Sequence, residues 1–441
     1  CTFLSLKVQV ISMGLTAKLD KLKLKTTSED IEDDSGHAKP DNSDDIDEVD
    51  SEYQNILLSI IAQLRPGMDL SKITLPTFIL EKKSMLERIT NFFQIPKLLI
   101  DSNSIEDPLD RFIGVLRWYL ASWHISPKAV KKPLNPVLGE VFTCYWDELP
   151  NNKSAYYLSE QISHHPPKSS YFYIMPEEKI RVDGVVIPKS RFLGNSSAAI
   201  MEGCGYVTLG KWDNEVYVMN QPNVYVRGIL FGKMRTELGD HMYVKCERNG
   251  LEANIEFKTK GFIYGTYDAI EGIIKESETQ KELFQISGKW NEVMYIKNIK
   301  TGKKEVLYDT RGSKTLKPKV RPLEEQWDFE SRKLWKPTIA GLAKRNHELA
   351  TEEKLKVENE QRIKAKKRLE DGVEFHPKFF REVNENDNGV KNLEYVIYKK
   401  FDLKEDPQVL RERLFTVAPI VPGQKFDEKF HYPAFKKPES N

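Results

Sequence analysis

The apolar positions of the chain change their spacing several times along its length, and each change marks a different kind of structure. Over residues 53–64 apolar residues recur at helical spacing, and Pro66-Gly67 ends the predicted helix. An extended stretch over 73–80 and a short helix over 83–93 follow. These elements are apolar but separated by polar breaks. The pattern favours ordinary core elements over the alternative, a movable flap above an apolar cavity.

A stronger helix is predicted to begin at Asp107-Pro108, because proline suits the first helical position. Its apolar residues recur on one face, which predicts that this face is buried. They are Leu109, Phe112, Leu116, Tyr119, Leu120 and Trp123.

From about 142 to 309 the pattern is that of short alternating β-strands with turns between them. Asp183-Gly184, Asn249-Gly250 and Gly302 are the turn signals. The series predicts an α+β fold with one large antiparallel sheet closed into a barrel. A barrel of more than about ten strands is too wide for side chains to fill, so its interior must hold a ligand, a helix or water. The predicted strands are Ala155–Ile162, Ser170–Met175, Tyr217–Met219, Val224–Leu230, Met242–Cys246, Ala253–Phe257, Gly261–Tyr267, Phe284–Ile286 and Val293–Ile296.

The last part of the chain is helical and charged. One helical region is predicted over 322–342 and another over 350–371, where Gly372 ends it. The second has few apolar residues, so packing alone explains it poorly. Lys354, Glu358 and Arg362 follow one another at four-residue intervals and therefore share one face.

The net charge of +1 conceals a strong asymmetry. Residues 28–52 contain twelve acidic residues and one lysine, for a charge of −11, whereas residues 1–27 carry five lysines and one aspartate, for +4. The chain from Tyr53 onward therefore carries +8, since +1 − 4 + 11 = +8. Residues 1–52 are predicted to be disordered. A basic body with an acidic leader fits an anionic partner as well as it fits a merely solvated leader.

Composition excludes several classes of protein. The four cysteines, Cys1, Cys144, Cys204 and Cys246, have no C-x-x-C spacing, which indicates reduced cytosolic thiols and neither a disulfide framework nor a zinc site. No stretch approaches the roughly 18 apolar residues of a membrane span. The first twelve residues make a poor secretory signal, because Lys7 interrupts the apolar run.

The most distinctive stretch is Glu160-Gln-Ile-Ser-His-His-Pro-Pro167, which contains two of the eight histidines. The prolines end any regular element directly after His164 and His165 and hold the imidazoles in a turn. Paired imidazoles suit metal binding, proton transfer or phosphate binding.

The sequence weighs against metal binding and against nucleophilic catalysis. No further histidine, cysteine or acidic cluster completes a metal site, and no G-x-S-x-G or similar context marks a nucleophile. Proton transfer stays open, but nothing supplies a partner base. Phosphate binding without chemistry would combine the histidines with Lys132, Asn135 and Arg362, which are donors suited to a phosphomonoester. Sequence spacing does not show that these residues meet.

The tract over 160–167 resembles the E-Q-x-S-H-H-P-P fingerprint of the oxysterol-binding-protein-related lipid-transfer family, and 131–140 resembles its K-K-P-L-N-P-x-L-G-E block. The resemblance covers most of the chain after residue 52. It implies a lipid-binding domain over 53–441, in which a near-complete β-barrel surrounds an apolar tunnel. The barrel would span about 142–309, with a C-terminal helical region over about 318–441.

The resemblance also assigns roles to residues. It implies that His164 and His165 bind the 4-phosphate of phosphatidylinositol 4-phosphate. Further headgroup contacts, and an N-terminal lid over about 53–80, are implied as well. The residues concerned are Lys132, Asn135, Lys354, Glu358 and Arg362 for the headgroup, and Leu75, Thr77 and Ile79 for the part of the lid nearest the ligand.

The second ligand distinguishes subfamilies. The stretches 73–87, 182–199 (with Lys189 and Ser190) and 221–235 resemble the short members that transfer phosphatidylserine. The resemblance therefore implies a non-enzymatic cytosolic exchanger without a cofactor. It would move phosphatidylserine and phosphatidylinositol 4-phosphate between endoplasmic reticulum and plasma membrane and would contact anionic membranes transiently. A tethering protein at the endoplasmic reticulum is a candidate partner. A sterol as second ligand, or a lipid hydrolase using His164 as base, are the alternatives.

Overall fold

The computed structural model describes residues 77–125, 130–229, 234–261, 265–385, 387, 390 and 392–426. The segment predicted to be disordered, most of the predicted lid and Leu75 lie outside them.

The N-terminal elements are short, and two of them form a parallel pair of strands. The stretch predicted to be extended begins as a 3₁₀ turn at Thr77–Ile79, so the strand starts only at Leu80. The following helix begins with an α-helical turn and continues as a 3₁₀ turn over Ile89–Phe93. The elements are β1 (Leu80–Ser84), α1 (Met85–Arg88), α2 (Pro96–Ser102), α3 (Pro108–Ser122) and β2 (Lys132–Leu134).

The body of the protein is one sheet of fourteen strands, and all of its strand pairs described here are antiparallel. The sheet confirms the predicted α+β class with a large antiparallel sheet. Its strands are β3 (Val141–Leu149), β4 (Lys153–His164), β5 (Pro167–Met175), β6 (Ile180–Phe192), β7 (Ser196–Glu202), β8 (Gly205–Leu209), β9 (Glu215–Met219), β10 (Asn223–Arg227), β11 (Arg235–Cys246), β12 (Leu251–Lys258), β13 (Ala269–Glu276), β14 (Glu282–Lys289), β15 (Val293–Asn298) and β16 (Lys304–Asp309).

The order of the strands divides between β6 and β11. One end of β6 pairs with β7, which pairs with β10, and β10 pairs with β11. The other end of β6 pairs with β8, which pairs with β9, and β9 also pairs with β11. On either side the strands follow in chain order, from β6 back to β3 and from β11 to β16. The outer edge of β3 is covered, because Tyr145 exchanges two backbone hydrogen bonds with Lys319, at 2.8 and 2.9 Å. Covering the edge protects the strand from pairing with other chains.

The Asp183-Gly184 signal was wrong as a hairpin turn, since both residues lie inside the continuous strand β6. Gly184 pairs with Tyr171 of β5, and a Cβ on Gly184 would lie 2.3 Å from the Tyr171 ring. The glycine therefore makes room for a neighbouring tyrosine and does not reverse the chain.

The other turn signals were correct. Gly250 and Gly302 have positive φ values of 60° and 73° and lie in the turns after β11 and β15. The strand predicted over 261–267 was wrong at both of its described ends, since Gly261 and Gly265 to Tyr267 lie outside any strand.

The wide interior predicted for the sheet holds a helix. Both faces of α3 are buried, and one hydrophobic cluster joins α3 to side chains from strands at both ends of the sheet. Asp107 caps the helix by accepting from the backbone N–H groups of Leu109 and Asp110, each at 2.9 Å. The buried Arg111 guanidinium donates to both carboxylate oxygens of Glu215 at 2.8 Å, which joins α3 to β9.

The last strands and the last helix of the chain pack against β3 to β6, whereas the helices before them pack against β1 and β2. The single helical region predicted over 322–342 is instead two short helices that begin only at Ser331, because the backbone leaves helical geometry at Trp335. The second predicted helix begins three residues earlier than expected and ends one residue earlier. The elements are α4 (Ser331–Leu334), α5 (Lys336–Ala343), α6 (His347–Glu370), β17 (Phe380–Glu382), β18 (Tyr395–Ile397) and α7 (Pro407–Phe415).

Among the described helices, none has the length and apolar character needed to cross a membrane.

Candidate functional site

The His-His-Pro-Pro tract forms the tight connection between β4 and β5. His164 is the last residue of β4 and Pro167 the first of β5, and the two imidazole rings lie 4.4 Å apart at 66°. The Ser163 hydroxyl donates to the Pro166 carbonyl at 2.7 Å, which closes the turn internally. The turn therefore holds the two rings in fixed positions at one end of the sheet.

A second turn, residues 135–140, lies directly against the end of β4. The backbone N–H of Gly139 donates to the Gln161 carbonyl, and the Gln161 N–H donates to the Glu140 carbonyl, both at 2.9 Å. The two sequence motifs are therefore hydrogen-bonded to each other, although about twenty residues separate them in the chain. The sequence alone did not show this contact.

His164 is the residue at which these turns meet. Its ring lies beside the Pro136 backbone, and its Nδ1 is buried with no hydrogen-bond partner among the described residues. Burial, and secondarily the neighbouring His165, lower the pKa of His164 to about 4. At neutral pH the ring is uncharged.

The long helix α6 brings three charged side chains to the same place. The charges of Glu358 and Arg362 act on the pKa of His164, the first raising it and the second lowering it. Glu358 accepts from Lys354 Nζ at 2.5 Å and lies 3.9 Å from the Arg362 guanidinium. We call His164, Lys354, Glu358 and Arg362 the polar cluster. The helical face predicted from four-residue spacing thus lies next to the histidine turn.

A backbone contact fixes α6 against the second turn. The Leu138 N–H donates to the Gln361 side-chain oxygen at 2.7 Å, across 223 residues of chain. Lys132 lies half-buried in β2, and Asn135 is exposed immediately before Pro136, the residue that contacts His164. The two residues predicted from the second motif therefore flank the part of the turn that reaches the polar cluster.

Glu140, which the sequence did not single out, is a buried hub. Its carboxylate accepts from Ser84 Oγ at 2.5 Å, Ser331 Oγ at 2.7 Å, Trp335 Nε1 at 3.0 Å and the Val137 N–H at 3.0 Å. Burial raises its pKa, and the donors oppose that rise. One carboxylate thereby joins β1, α4 and α5 to the turn that contacts His164.

Glu160, the first residue of the histidine tract, has a similar role on the other side. It is fully buried and accepts from the backbone N–H groups of Lys378 and Phe379 at 2.8–2.9 Å. Burial raises the pKa of Glu160 to about 7, and burial also lowers the pKa of Lys378. Lys378 Nζ donates to the Gly139 carbonyl at 3.0 Å, so this pair joins β4, the second turn and the C-terminal segment. The only sequence signal for this role of Glu160 was an acidic residue at the start of the histidine tract.

The remaining predicted ligand residues lie elsewhere. Thr77 is buried against the start of α6, where its hydroxyl donates to the His347 carbonyl at 3.2 Å, and Ile79 is half-buried. Lys189 pairs with Glu202 at 2.7 Å across the β6–β7 hairpin, and Ser190 lies opposite Ala199. Thr77 and Lys189 bond residues of neighbouring elements, and the role of these four residues in ligand binding stays a prediction.

The chemistry of the polar cluster suits an oxyanion. The charges of Glu358 and Arg362 act on the His164 ring, whose Nδ1 is buried without a partner among the described residues. Glu358 pairs with Lys354 and lies near Arg362, so the cluster supplies two cationic donors. Charged donors of this kind form strong hydrogen bonds to phosphate oxygens. Within the described residues, no group of three or more histidine, cysteine or acidic side chains could hold a metal ion.

A family model and a full-length relative that match this chain carry the same family description. The sequence profile of the family described as "Oxysterol-binding protein" matches residues 59–341 and 337–406. The chain is 99% identical over 429 residues to "Oxysterol-binding protein-like protein OBPalpha" of Candida albicans, which covers 97% of this chain and 100% of that protein.

Two solved structures share the fold. The Osh1 ORD domain in complex with ergosterol has a TM-score of 0.65 at 24% identity, covering 81% of this chain and 88% of that one. The Osh3 ORD in complex with PI(4)P from Saccharomyces cerevisiae has a TM-score of 0.59 at 21% identity, covering 82% and 92%.

Proposed function

The chain belongs to the oxysterol-binding protein family of lipid-transfer proteins, and we propose that it exchanges phosphatidylserine for phosphatidylinositol 4-phosphate. It would carry phosphatidylserine from the endoplasmic reticulum to the plasma membrane and return the phosphoinositide. The protein would work in the cytoplasm at contacts between the two membranes, with or without a tethering partner. It would perform no chemical conversion of either lipid.

The polar cluster is the observation that carries the phosphoinositide half of this proposal. The His164 ring has a buried Nδ1 without a partner within the described structure, the charge of Arg362 acts on that ring, and Lys354 pairs with Glu358 of the same cluster. A phosphomonoester supplies the acceptors and the negative charge that the two cations require. Lys132 precedes the second turn and Asn135 begins it, and both are the expected further donors.

The headgroup is expected to set selectivity, while the acyl chains supply most of the binding free energy. Burying an acyl chain contributes about 0.8 kcal/mol per CH₂ group, so two chains cover the cost of leaving a bilayer. If the interior accepts one lipid at a time, the two cargoes compete, and each visit to a membrane becomes a swap.

Phosphatidylserine as the second cargo rests on the sequence resemblance over 73–87, 182–199 and 221–235. A sterol is the alternative, suggested by the ergosterol bound to the related Osh1 domain. That domain is only 24% identical, so the likeness supports the shared fold and leaves the cargo to experiment. A hydrolase is less favoured, because Ser163, the nearest hydroxyl in sequence, donates to the Pro166 carbonyl and not to a histidine.

Lipid extraction tests the proposal directly. The protein is incubated with vesicles containing phosphatidylserine, ergosterol and phosphatidylinositol 4-phosphate, and the bound lipids are identified by mass spectrometry. We expect both phospholipids and little sterol. Sterol without phosphatidylserine would establish the alternative cargo, and chemically altered lipid would favour the hydrolase.

The role of the histidines is tested by combining His164→Ala with His165→Ala. We expect the double variant to lose phosphatidylinositol 4-phosphate and to retain phosphatidylserine. His241→Ala is the matched control, because His241 is exposed on β11 and bonds Asn254 of the neighbouring strand. Loss of both lipids in the double variant would mean that the histidine turn is structural.

A further inference from the structure

The helix α6 continues well beyond the part that packs on the protein. Ala350 is fully buried against Gly341 of α5, Val357 contacts the hydrophobic cluster around Trp335, and Gln361 bonds the Leu138 N–H. After Gln361 the side chains of α6 are mostly exposed. From residue 362 to 370 only one side chain is half-buried and the others are exposed. We call residues 362–370 the α6 extension; at 1.5 Å per residue it is about 13 Å long.

The α6 extension carries two apolar side chains that the fold does not cover. Ile363 is 68% exposed and Leu369 is 84% exposed, the highest values among the large hydrophobic residues of the described structure. Ile363, Lys366 and Leu369 follow at three-residue intervals and are neighbours on the helix surface. Lys366 comes nine residues after Val357, which places it half a turn away from the packed side. The two apolar residues therefore border the outward face.

The charge of α6 changes sign where packing ends. Residues 347–361 contain five glutamates and two lysines, for a charge of −3. The α6 extension contains five cations and Glu370, for a charge of +4. The cations are Arg362, Lys364, Lys366, Lys367 and Arg368. An exposed helix that combines basic residues with isolated apolar side chains has the composition of a segment that lies in a lipid–water interface.

We propose that the α6 extension is the surface by which this protein docks on an anionic lipid leaflet, with Ile363 and Leu369 inserted between the headgroups. The proposal rests on the function proposed above and names the membrane contact which that function requires. The cations would remain at the level of the phosphates while their aliphatic stems cover apolar surface. Charge complementarity identifies the partner, because a positive helix end is attracted by phosphatidylserine and phosphoinositides.

The α6 extension lies close to the polar cluster, so docking would bring the polar cluster to the membrane. Arg362 belongs to the polar cluster and is also the first residue of the extension. Leu369 lies seven residues further, about 10 Å along the helix axis. Insertion of Leu369 would therefore bring the polar cluster to within about 10 Å of the leaflet from which a headgroup has to be taken.

Vesicle binding of the full chain tests this surface. The probe is phosphatidylcholine vesicles with or without phosphatidylserine, measured by flotation, and the variant combines Ile363→Asp with Leu369→Asp. Wild type should bind the anionic vesicles, and the variant should bind them at least roughly tenfold more weakly, since two apolar side chains lose their burial. Val306→Asp is the matched control, because Val306 is 56% exposed on the edge strand β16.

A charge variant tests the electrostatic part separately. Lys366→Glu with Lys367→Glu should weaken binding by about fivefold or more for each basic residue lost. Lys303→Glu with Lys304→Glu, beside Val306, should leave binding unchanged. All four variants alter exposed or charged surface positions, and thermal melting verifies that they fold.

The outcomes separate this proposal from the proposed function. Binding of a water-soluble short-chain phosphatidylinositol 4-phosphate should be unchanged in the Ile363/Leu369 variant, because no vesicle is involved. If both α6 variants bind anionic vesicles as wild type does, the extension is not the docking surface. If they lose self-association and not vesicle binding, the apolar face contacts a second copy, which also overturns the proposal. Failure of wild type to bind the short-chain lipid would instead contradict the proposed function.

Discussion

His164 lies beside the backbone of Pro136 and keeps a buried Nδ1 without a partner among the described residues. The charges of Glu358 and Arg362 on α6 act on the same ring. Burial lowers the pKa of His164 to about 4, so the ring is neutral in the ligand-free protein at neutral pH.

Phosphate binding should therefore take up a proton. The negative charge of a phosphate favours the charged form of a neighbouring imidazole. The pKa of His164 is about 4 in the free protein, and the phosphate charge will raise it in the complex. Between these two pKa values the affinity for a short-chain phosphatidylinositol 4-phosphate should fall by up to about tenfold per pH unit as the pH rises. Calorimetry in buffers of different ionisation enthalpy measures the uptake.

His164→Gln provides the control for that measurement. The variant has no titrating ring at this position, so it should take up fewer protons on binding the lipid than wild type does. Equal uptake by the two proteins would mean that His164 does not become charged.

Glu160 should make stability depend on pH in the direction opposite to an ordinary ion-paired acid. Its pKa is raised from 4.5 to about 7 in the folded protein, so between these values the folded state binds more protons than the unfolded state. The contribution of Glu160 to stability is greatest below about pH 4.5 and is lost as the pH rises toward 7. The difference amounts to about 3 kcal/mol at most.

Comparison of wild type with Glu160→Gln isolates this contribution, since other groups titrate in both proteins. Unfolding by urea from pH 4.5 to 8 should show the variant gaining stability relative to wild type as the pH rises. A constant difference across this range would show that Glu160 keeps an ordinary pKa.

Removing Glu140 should destabilise the protein strongly. Glu140→Ala leaves the hydroxyls of Ser84 and Ser331, the indole N–H of Trp335 and a backbone N–H buried without their acceptor. Each such group costs about 1–3 kcal/mol, so the four together should cost at least about 4 kcal/mol. Thermal and chemical unfolding measure the loss. Glu305→Ala is the comparison, since this glutamate is 59% exposed, and its removal should cost less than about 1 kcal/mol.

Gly184 should tolerate no side chain. Gly184→Ala would place a methyl group 2.3 Å from the Tyr171 ring, in a core where neither strand can move freely. Overpacking of this kind costs about 1–3 kcal/mol or more, measured as a lower midpoint of unfolding. Gly312→Ala is the matched control, because a Cβ there meets nothing within 4 Å. Equal stability of the two variants would show that β5 and β6 can separate.

Much of the local structure follows from the sequence. The proline at the first position of α3 and the buried apolar face are local properties, and they appear in the structure as predicted. The alternating runs likewise predicted a large antiparallel sheet, because strand character depends on neighbouring residues. The face of α6 that carries Lys354, Glu358 and Arg362 follows from helix geometry alone.

The failures occur where a local signal has two structural meanings. Asp183-Gly184 is typical of a hairpin turn, but a glycine is also required where a large side chain of the next strand lies over the backbone. Only the pairing of β5 with β6 decides between the two. Similarly, Trp335 interrupts a helical region whose apolar pattern suggested continuity.

By itself, then, the sequence determined the elements, the class of fold and the chemical character of the His-His-Pro-Pro turn. The tertiary structure decided which groups meet. Glu160 bonds Lys378 across 218 residues, and Leu138 bonds Gln361 across 223, and no periodicity extends over such distances. The physical reason is that burial changes what a side chain does. It lowers the pKa of His164 and raises that of Glu160, and burial is a property of the assembled fold and not of the neighbouring residues.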